Sequence, residues 1–235
     1  MITTIGLDAD DTLWHNENVF RLTQERFRGL LAGIADPDVL DERLAEIEHR
    51  NLRLYGYGVK GFTLSMIETA MELTGNEAPG RVIADILAAG REMLSHPVET
   101  LPGVKEVLAE LCADYRLVLI TKGDLFHQEQ KLAASGLGNF FAAVEIVTEK
   151  DASTYQRVFD RVGTGPEQAV MCGNSMRSDV LAALEAGAYA AHVPYPLTWE
   201  RELADAPRDH PRFVELASLA ELPRWVRVLA RRDGP

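Results

Sequence analysis

Two cysteines in 235 residues, Cys112 and Cys172, are too few for a disulfide framework. A reducing, cytoplasmic setting is therefore expected. Positive charge is also short: 24 Lys and Arg against 36 Asp and Glu leave a formal net charge of −12. That balance argues against nucleic acid or an anionic membrane as the main partner. No basic segment followed by a long apolar stretch opens the chain, so no signal peptide is read there. No apolar run approaches the roughly 20 residues needed to span a bilayer. What is present suits a soluble globular protein. A hydrophobic content of 46% allows a substantial core, and the length fits one large domain or a domain carrying an insertion. Both cysteines lie in apolar runs and are expected in the core.

The apolar run Ile2–Leu7 leads directly into Asp8-Ala9-Asp10-Asp11-Thr12-Leu13. Ile2, Thr3, Thr4 and Ile5 are β-branched and no charge interrupts them, which predicts a short buried strand. Three carboxylates then follow at its C-terminal end, the edge where ligands bind in an open parallel α/β sheet. Like charges packed together repel unless a cation or shared protons relieve them. A divalent-metal loop is one reading; an N-cap, by Asp10 or Asp11, for a helix through Asn16–Leu31 is the other.

From about residue 16 to 96 the sequence reads as almost wholly helical. Val19, Leu22, Phe27, Leu30 and Leu31 recur at helical spacing, and Asp36-Pro37 reads as a cap and first-turn proline. The glycine-rich stretch Tyr55–Gly61 breaks the run, and two more helices follow over Thr63–Leu73 and Arg81–Leu94. From Leu101 helices alternate with apolar strands over Arg116–Thr121, Ala143–Val147, Ala169–Cys172 and Ala188–Val193. With the first strand this predicts a five-stranded parallel sheet. The tail from Pro194 is proline-rich and closes in a short helix near Leu222–Leu229. An insertion of about eighty residues directly after an acidic loop suggests a lid.

Each later strand should deliver its end to the edge occupied by Asp8. The second ends in Thr121-Lys122-Gly123-Asp124, which offers a hydroxyl, an ammonium and backbone N–H groups to an anion. Thr121 or Asp124 would equally serve as a helix cap. The third leads to Lys150, able to neutralise a phosphate or hold a carboxylate. The fourth ends in Gly173-Asn174-Ser175-Met176-Arg177-Ser178-Asp179, pairing a neutral oxygen ligand with an anionic one. Asp179 would also cap the helix that follows.

Acidic loop, threonine, lysine, then a glycine-led amide and carboxylate occur in that order at four successive strand ends. In this the chain resembles the haloacid dehalogenase-like (HAD) hydrolase superfamily, across about residues 1–14 and 98–195. Asp11 stands where many members have glycine, and Asn174 where many have aspartate. The resemblance implies a Rossmann-like three-layer α/β core (1–14 and 98–235) with an inserted all-helical cap of the first type (15–97). It implies that Asp8 attacks phosphorus to form an aspartyl-phosphate, an intermediate that water can cleave. Asp10 would protonate the leaving oxygen and then activate the water. These opposed needs call for different environments, with Asp8 held ionised by the metal and Asp10 less so. Mg²⁺ would be bound by Asp8, the Asp10 backbone carbonyl and the fourth-motif oxygens of Asn174 and Asp179. Thr121 and Lys150 would hold the phosphoryl oxygens, with Lys122, Gly123 and the cap residue Lys60 as further substrate contacts.

The expected activity is Mg²⁺-dependent hydrolysis of a small phosphorylated metabolite. Alternatives are a sugar-phosphate mutase using the same intermediate, a catalytically weak phospho-ligand binder on account of Asn174, or a 2-haloacid dehalogenase. Members resembling the dehalogenases lack an aspartate at the position of Asp10, because halide needs no proton to leave. A receiver-type signalling domain fits poorly, since the third strand ends in Thr148-Glu149 rather than aspartate. Tyr55, Tyr57, Lys60 and Phe62 are candidates for specificity, or else pack as a helix–helix turn. An exposed cap face is a candidate homodimer surface.

Overall fold

The computed structural model describes residues 1–232. The elements run β1 (Thr4–Leu7), α1 (Glu17–Leu30), α2 (Pro37–Tyr55), α3 (Val59–Leu73), α4 (Gly80–Leu94), α5 (Val104–Leu111) and β2 (Arg116–Lys122). They continue with α6 (Leu125–Ser135), β3 (Ala143–Val147), α7 (Ala152–Val162), β4 (Ala169–Gly173), α8 (Ala182–Glu185), β5 (Tyr189–His192), β6 (Phe213–Glu215) and α9 (Leu222–Arg232). A π-helical turn over Met176–Leu181 leads into α8. Local chemistry sets several boundaries. Asp36 accepts from the Asp38 N–H at 2.9 Å with Pro37 at the first position of α2, and Gly56, at φ 72°, ends that helix. Asp151 likewise caps α7 by accepting from the Thr154 N–H at 2.7 Å.

The strands form one parallel sheet ordered β3-β2-β1-β4-β5-β6. Leu7 of β1 lies opposite Leu119 on one side and Cys172 on the other. Alternate residues face opposite layers, as the pleat requires. Ile5, Leu7, Leu117, Leu119 and Val170 pack with α5 and α9 through Val107, Leu108, Leu222 and Val226. Val118, Ile120 and Met171 pack on the other face with Tyr155, Val158 and Phe159 of α7 and with Val180. Burial on both faces explains why the strands read as unbroken apolar runs.

The sheet has six strands, not the five expected. The sixth is three residues long, half-buried and at the edge, in a proline-rich tail. Such a segment has too few residues to display a strand's alternation. Cys112 also departs from expectation, being exposed, whereas Cys172 is buried in β4.

The chain groups into two compact units, one formed by Met1–Glu17, Val98–Lys122 and Gln128 onward, the other by Asn18–Pro97 with Gly123–His127. The second unit has its own core, built from Phe27 of α1 and Leu31 just after it, Leu40 and Leu44 of α2, Phe62 and Met66 of α3, and Ile86 of α4. Each such side chain contributes roughly 1.5–3 kcal/mol on burial. Phe62, a specificity candidate, is one of these core residues and packs on Phe20 with ring centroids 5.2 Å apart. Among the described residues no helix is long and apolar enough to cross a membrane.

Candidate active site

β1 carries the chain to Asp8, whose N–H donates to the Cys172 carbonyl at 2.9 Å. The sheet is extended from β1 by β2 on one side and by β4 on the other, so Asp8 lies at the topological switch point. The turn beyond it is tight. Asp11 has φ 61°, and its N–H donates to the Trp14 carbonyl at 2.7 Å. Its carboxylate accepts from the N–H groups of Asn16 at 2.8 Å and Glu17 at 3.1 Å, so it caps the entry to α1. Burial pushes the Asp11 carboxyl up to about 7, against the pull of those backbone donors.

The Asp8 carboxylate is buried, and its Oδ1 accepts from Lys150 Nζ. Lys150, itself 5% exposed, also donates to Asp179 Oδ1 at 2.7 Å. Asp179 is fully buried, and its second oxygen accepts from the Ser175 N–H at 3.0 Å. A Cβ on Gly173 would lie 2.1 Å from that oxygen, so only glycine fits there. One ammonium thus serves two carboxylates and leaves a net negative charge in a buried place. Burial and the Asp179 charge push the Asp8 carboxyl up despite Lys150. Burial alone would lower the Lys150 ammonium, but the two carboxylates outweigh it and raise it.

Asn174 supplies a test of whether a cation suits this place. One terminal atom of its amide lies 3.2 Å from the Asp10 carbonyl oxygen, 3.1 Å from Asp8 Oδ2 and 3.2 Å from Thr12 Oγ1. As a nitrogen it has two hydrogens to share among these three acceptors. As an oxygen it joins the Asp8 carboxylate and the Asp10 carbonyl in a set of three converging acceptors. Oxygen donors with surplus negative charge are what a hard divalent cation such as Mg²⁺ takes. The residues fit the ion. No cluster of three His, Cys, Asp or Glu side chains able to hold a metal occurs among the described residues. The fit therefore depends on a backbone carbonyl and an amide, and Asp179 is already engaged by Lys150 and the Ser175 N–H.

The remaining expected contacts fall into two groups. Thr121 is buried at the end of β2 with its hydroxyl 2.7 Å from Gln128 Nε2. Lys122 turns instead to protein partners, donating to Glu202 at 2.7 Å, Ser178 Oγ at 2.9 Å and Glu149 at 3.3 Å. In the helical unit, Gly123 adopts φ 132° and Lys60 pairs with Asp124 at 2.9 Å. Asp124 in turn caps α6 by accepting from the His127 N–H at 3.0 Å.

Two constellations were not legible in the sequence. Asp10 Oδ1 accepts from Trp14 Nε1 at 2.7 Å and Lys131 Nζ at 2.5 Å, while Oδ2 accepts from Gln128 Nε2 at 3.0 Å. Burial alone would raise the Asp10 carboxyl, but Lys131, Trp14 and Gln128 together lower it. The Asp10 carboxyl is thus held low, and the chief physical reason is the Lys131 ammonium. The second is Glu202, whose carboxylate accepts from Lys122, from Ser178 Oγ at 2.6 Å and from Ser175 Oγ. Burial opposes its charge, but Lys122 and the two hydroxyls bring it down to about 2.

The profile of the haloacid dehalogenase-like hydrolase family matches residues 2–187, and the chain belongs to that family. A crystal structure of a haloacid dehalogenase-like family hydrolase from Xanthomonas campestris superimposes with a TM-score of 0.88 at 44% identity, covering 98% of this chain and 93% of that one. Glyceraldehyde 3-phosphate phosphatase of Methanothermobacter thermautotrophicus is 26% identical over 219 residues, 89% of this chain and 91% of its own. N-acylneuraminate-9-phosphatase of Rattus norvegicus is 35% identical over 89 residues, 36% of each chain.

Proposed function

We propose that this hydrolase is a phosphatase that cleaves a small phosphorylated metabolite through an aspartyl-phosphate on Asp8. The observation that carries the reading is the pair of carboxylates two residues apart, each bound by a different lysine. Asp8 with Lys150 serves as nucleophile beside a charge that also receives phosphoryl oxygens. Asp10, held apart by Lys131, serves as acid and then base. Its resting carboxylate is ionised, and an incoming phosphate dianion counteracts Lys131 and favours proton uptake. The two relatives named as phosphatases of small phosphorylated carbohydrates support that substrate class.

Mg²⁺ would be held by Asp8, the Asp10 carbonyl and Asn174, and when bound it neutralises charge on the transferring group. Asp179 orients Lys150 and the loop that carries Asn174. Thr121 offers its hydroxyl to a phosphoryl oxygen, while Lys122 fastens the surrounding loops through Glu202 and Ser178. The helical unit supplies the cap.

The test is Mg²⁺-dependent release of phosphate from 4-nitrophenyl phosphate and from a panel of phosphorylated sugars. Asp8→Asn abolishes it, and Asp10→Asn lowers it by ~10²–10⁴-fold. Near-normal turnover by Asp8→Asn protein contradicts the assignment.

A further inference from the structure

The Asp10 carboxylate is bound unevenly. Oδ1 takes two donors, the Trp14 indole N–H at 2.7 Å and the Lys131 ammonium at 2.5 Å, the latter charge-assisted. Oδ2 takes only Gln128 Nε2, at 3.0 Å. That same nitrogen lies 2.7 Å from Thr121 Oγ1 and 2.7 Å from the Lys122 carbonyl. An amide nitrogen has two hydrogens, so three acceptors compete for them and Asp10 Oδ2 is the most distant. Lys131 is anchored in turn by Asn16 Oδ1 at 3.0 Å, and it is only 9% exposed. Trp14 is fully buried, and backbone bonds tie its carbonyl to Asp11 and its N–H to Ala9. The two donors to Oδ1 are therefore rigidly placed, one on the turn after β1 and one on α6.

We infer that Lys131 and Trp14 are positioning residues which saturate Asp10 Oδ1 and so leave Oδ2 as the atom that exchanges the proton. The inference rests on the phosphatase reading. In the first step the Asp8 oxygen–phosphorus bond forms as the bond from phosphorus to the leaving oxygen breaks. The proton on Asp10 Oδ2 passes to that oxygen, giving the free alcohol and an Asp10 carboxylate. In the second step a water oxygen bonds to phosphorus, the Asp8 oxygen–phosphorus bond breaks, and a proton of the water goes to Oδ2. Neither Lys131 nor Trp14 touches the reacting atoms. Without them the carboxylate turns about its own axis and Oδ2 loses its aim.

A leaving group that is stable as an anion needs no such proton, whereas a basic one does. Phenyl phosphate and 4-nitrophenyl phosphate are nearly the same shape but differ in this respect. The test compares kcat/KM for both with Mg²⁺ in wild-type, Lys131→Met and Trp14→Phe proteins. This parameter reports the steps up to loss of the leaving group, and its ratio within one preparation does not depend on the fraction correctly folded. Lys131→Met should lower kcat/KM for phenyl phosphate ~100-fold and for 4-nitrophenyl phosphate by less than about tenfold. Trp14→Phe, which removes only the N–H donor and part of the ring, should shift the ratio the same way by a smaller factor. Equal loss on both substrates, or no loss on either, overturns the inference. Wild-type protein that hydrolyses neither ester nor any phosphorylated sugar overturns the phosphatase reading itself.

Discussion

In the proposed chemistry, the partners of the charged residues around Asp8 and Asp10 decide what each can do. Asp8, Asp10 and Asp11 stand within four positions yet serve three purposes. The first shares Lys150 with Asp179, the second is fixed by Lys131, and the third caps α1. The first and last of these purposes can be read in the sequence, because strand-end position and N-cap preference are local properties. Lys131 and Gln128 cannot, since a lysine and a glutamine three apart on a helix look like a solvated face. The apolar residues that open α6 mislead as well, since Leu125 and Phe126 are exposed, at 60% and 62%. Glu202 is hidden in the same way inside a proline-rich tail. Its acidity has a consequence for stability. The folded carboxyl titrates near 2 against an ordinary 4.5. The group thus contributes fully above about pH 4.5, and its contribution is lost as pH falls from there towards 2. The limiting size is on the order of 3 kcal/mol. Glu202→Gln should lower the thermal midpoint at neutral pH, and the gap to wild type should close as the pH approaches 2 to 3, near the folded value. A gap independent of pH contradicts that account.

The strands of the sheet and the turn after β4 differ in how plainly the sequence announces them. β1, β2 and β4 are buried on both faces, so their residues form continuous apolar runs. β6 has three residues on an edge and leaves no such trace. The π-helical turn over Met176–Leu181 is also unannounced, although it is what brings the Ser175 N–H and Lys150 onto Asp179. Gly173 permits that approach. Gly173→Ala would force a Cβ onto Asp179 and should cost about 1–3 kcal/mol, with loss of activity. Gly29, exposed in α1 with nothing within 4 Å of an added Cβ, is the matched control. Gly29→Ala should be neutral or stabilise by up to about 1 kcal/mol. Denaturant unfolding of the two variants measures both, and equal effects would show that the close packing at Gly173 is not the cause.

For the molecule as a whole, a negative net charge coexists with cationic side chains gathered at the site. The chain carries −12, yet Lys150, Lys131 and Lys122 converge on the ends of the central strands. The side chains around a site, rather than the net charge of the chain, decide whether a small anion such as a phosphate ester is received there. The order of four motifs along the chain was legible because each falls at the end of a strand that the apolar pattern already marks. The supporting residues were not, because they are distant in sequence and meet only through folding: Asp10 and Lys131 are 121 positions apart. The central claim is that phosphorus becomes bonded to Asp8. Borohydride added during steady-state turnover with Mg²⁺ reduces an aspartyl-phosphate to homoserine, and peptide mass spectrometry then locates it. The account predicts homoserine at position 8 in wild-type protein and none without substrate. Continued phosphate release with an unmodified Asp8, or homoserine at another aspartate, would contradict it.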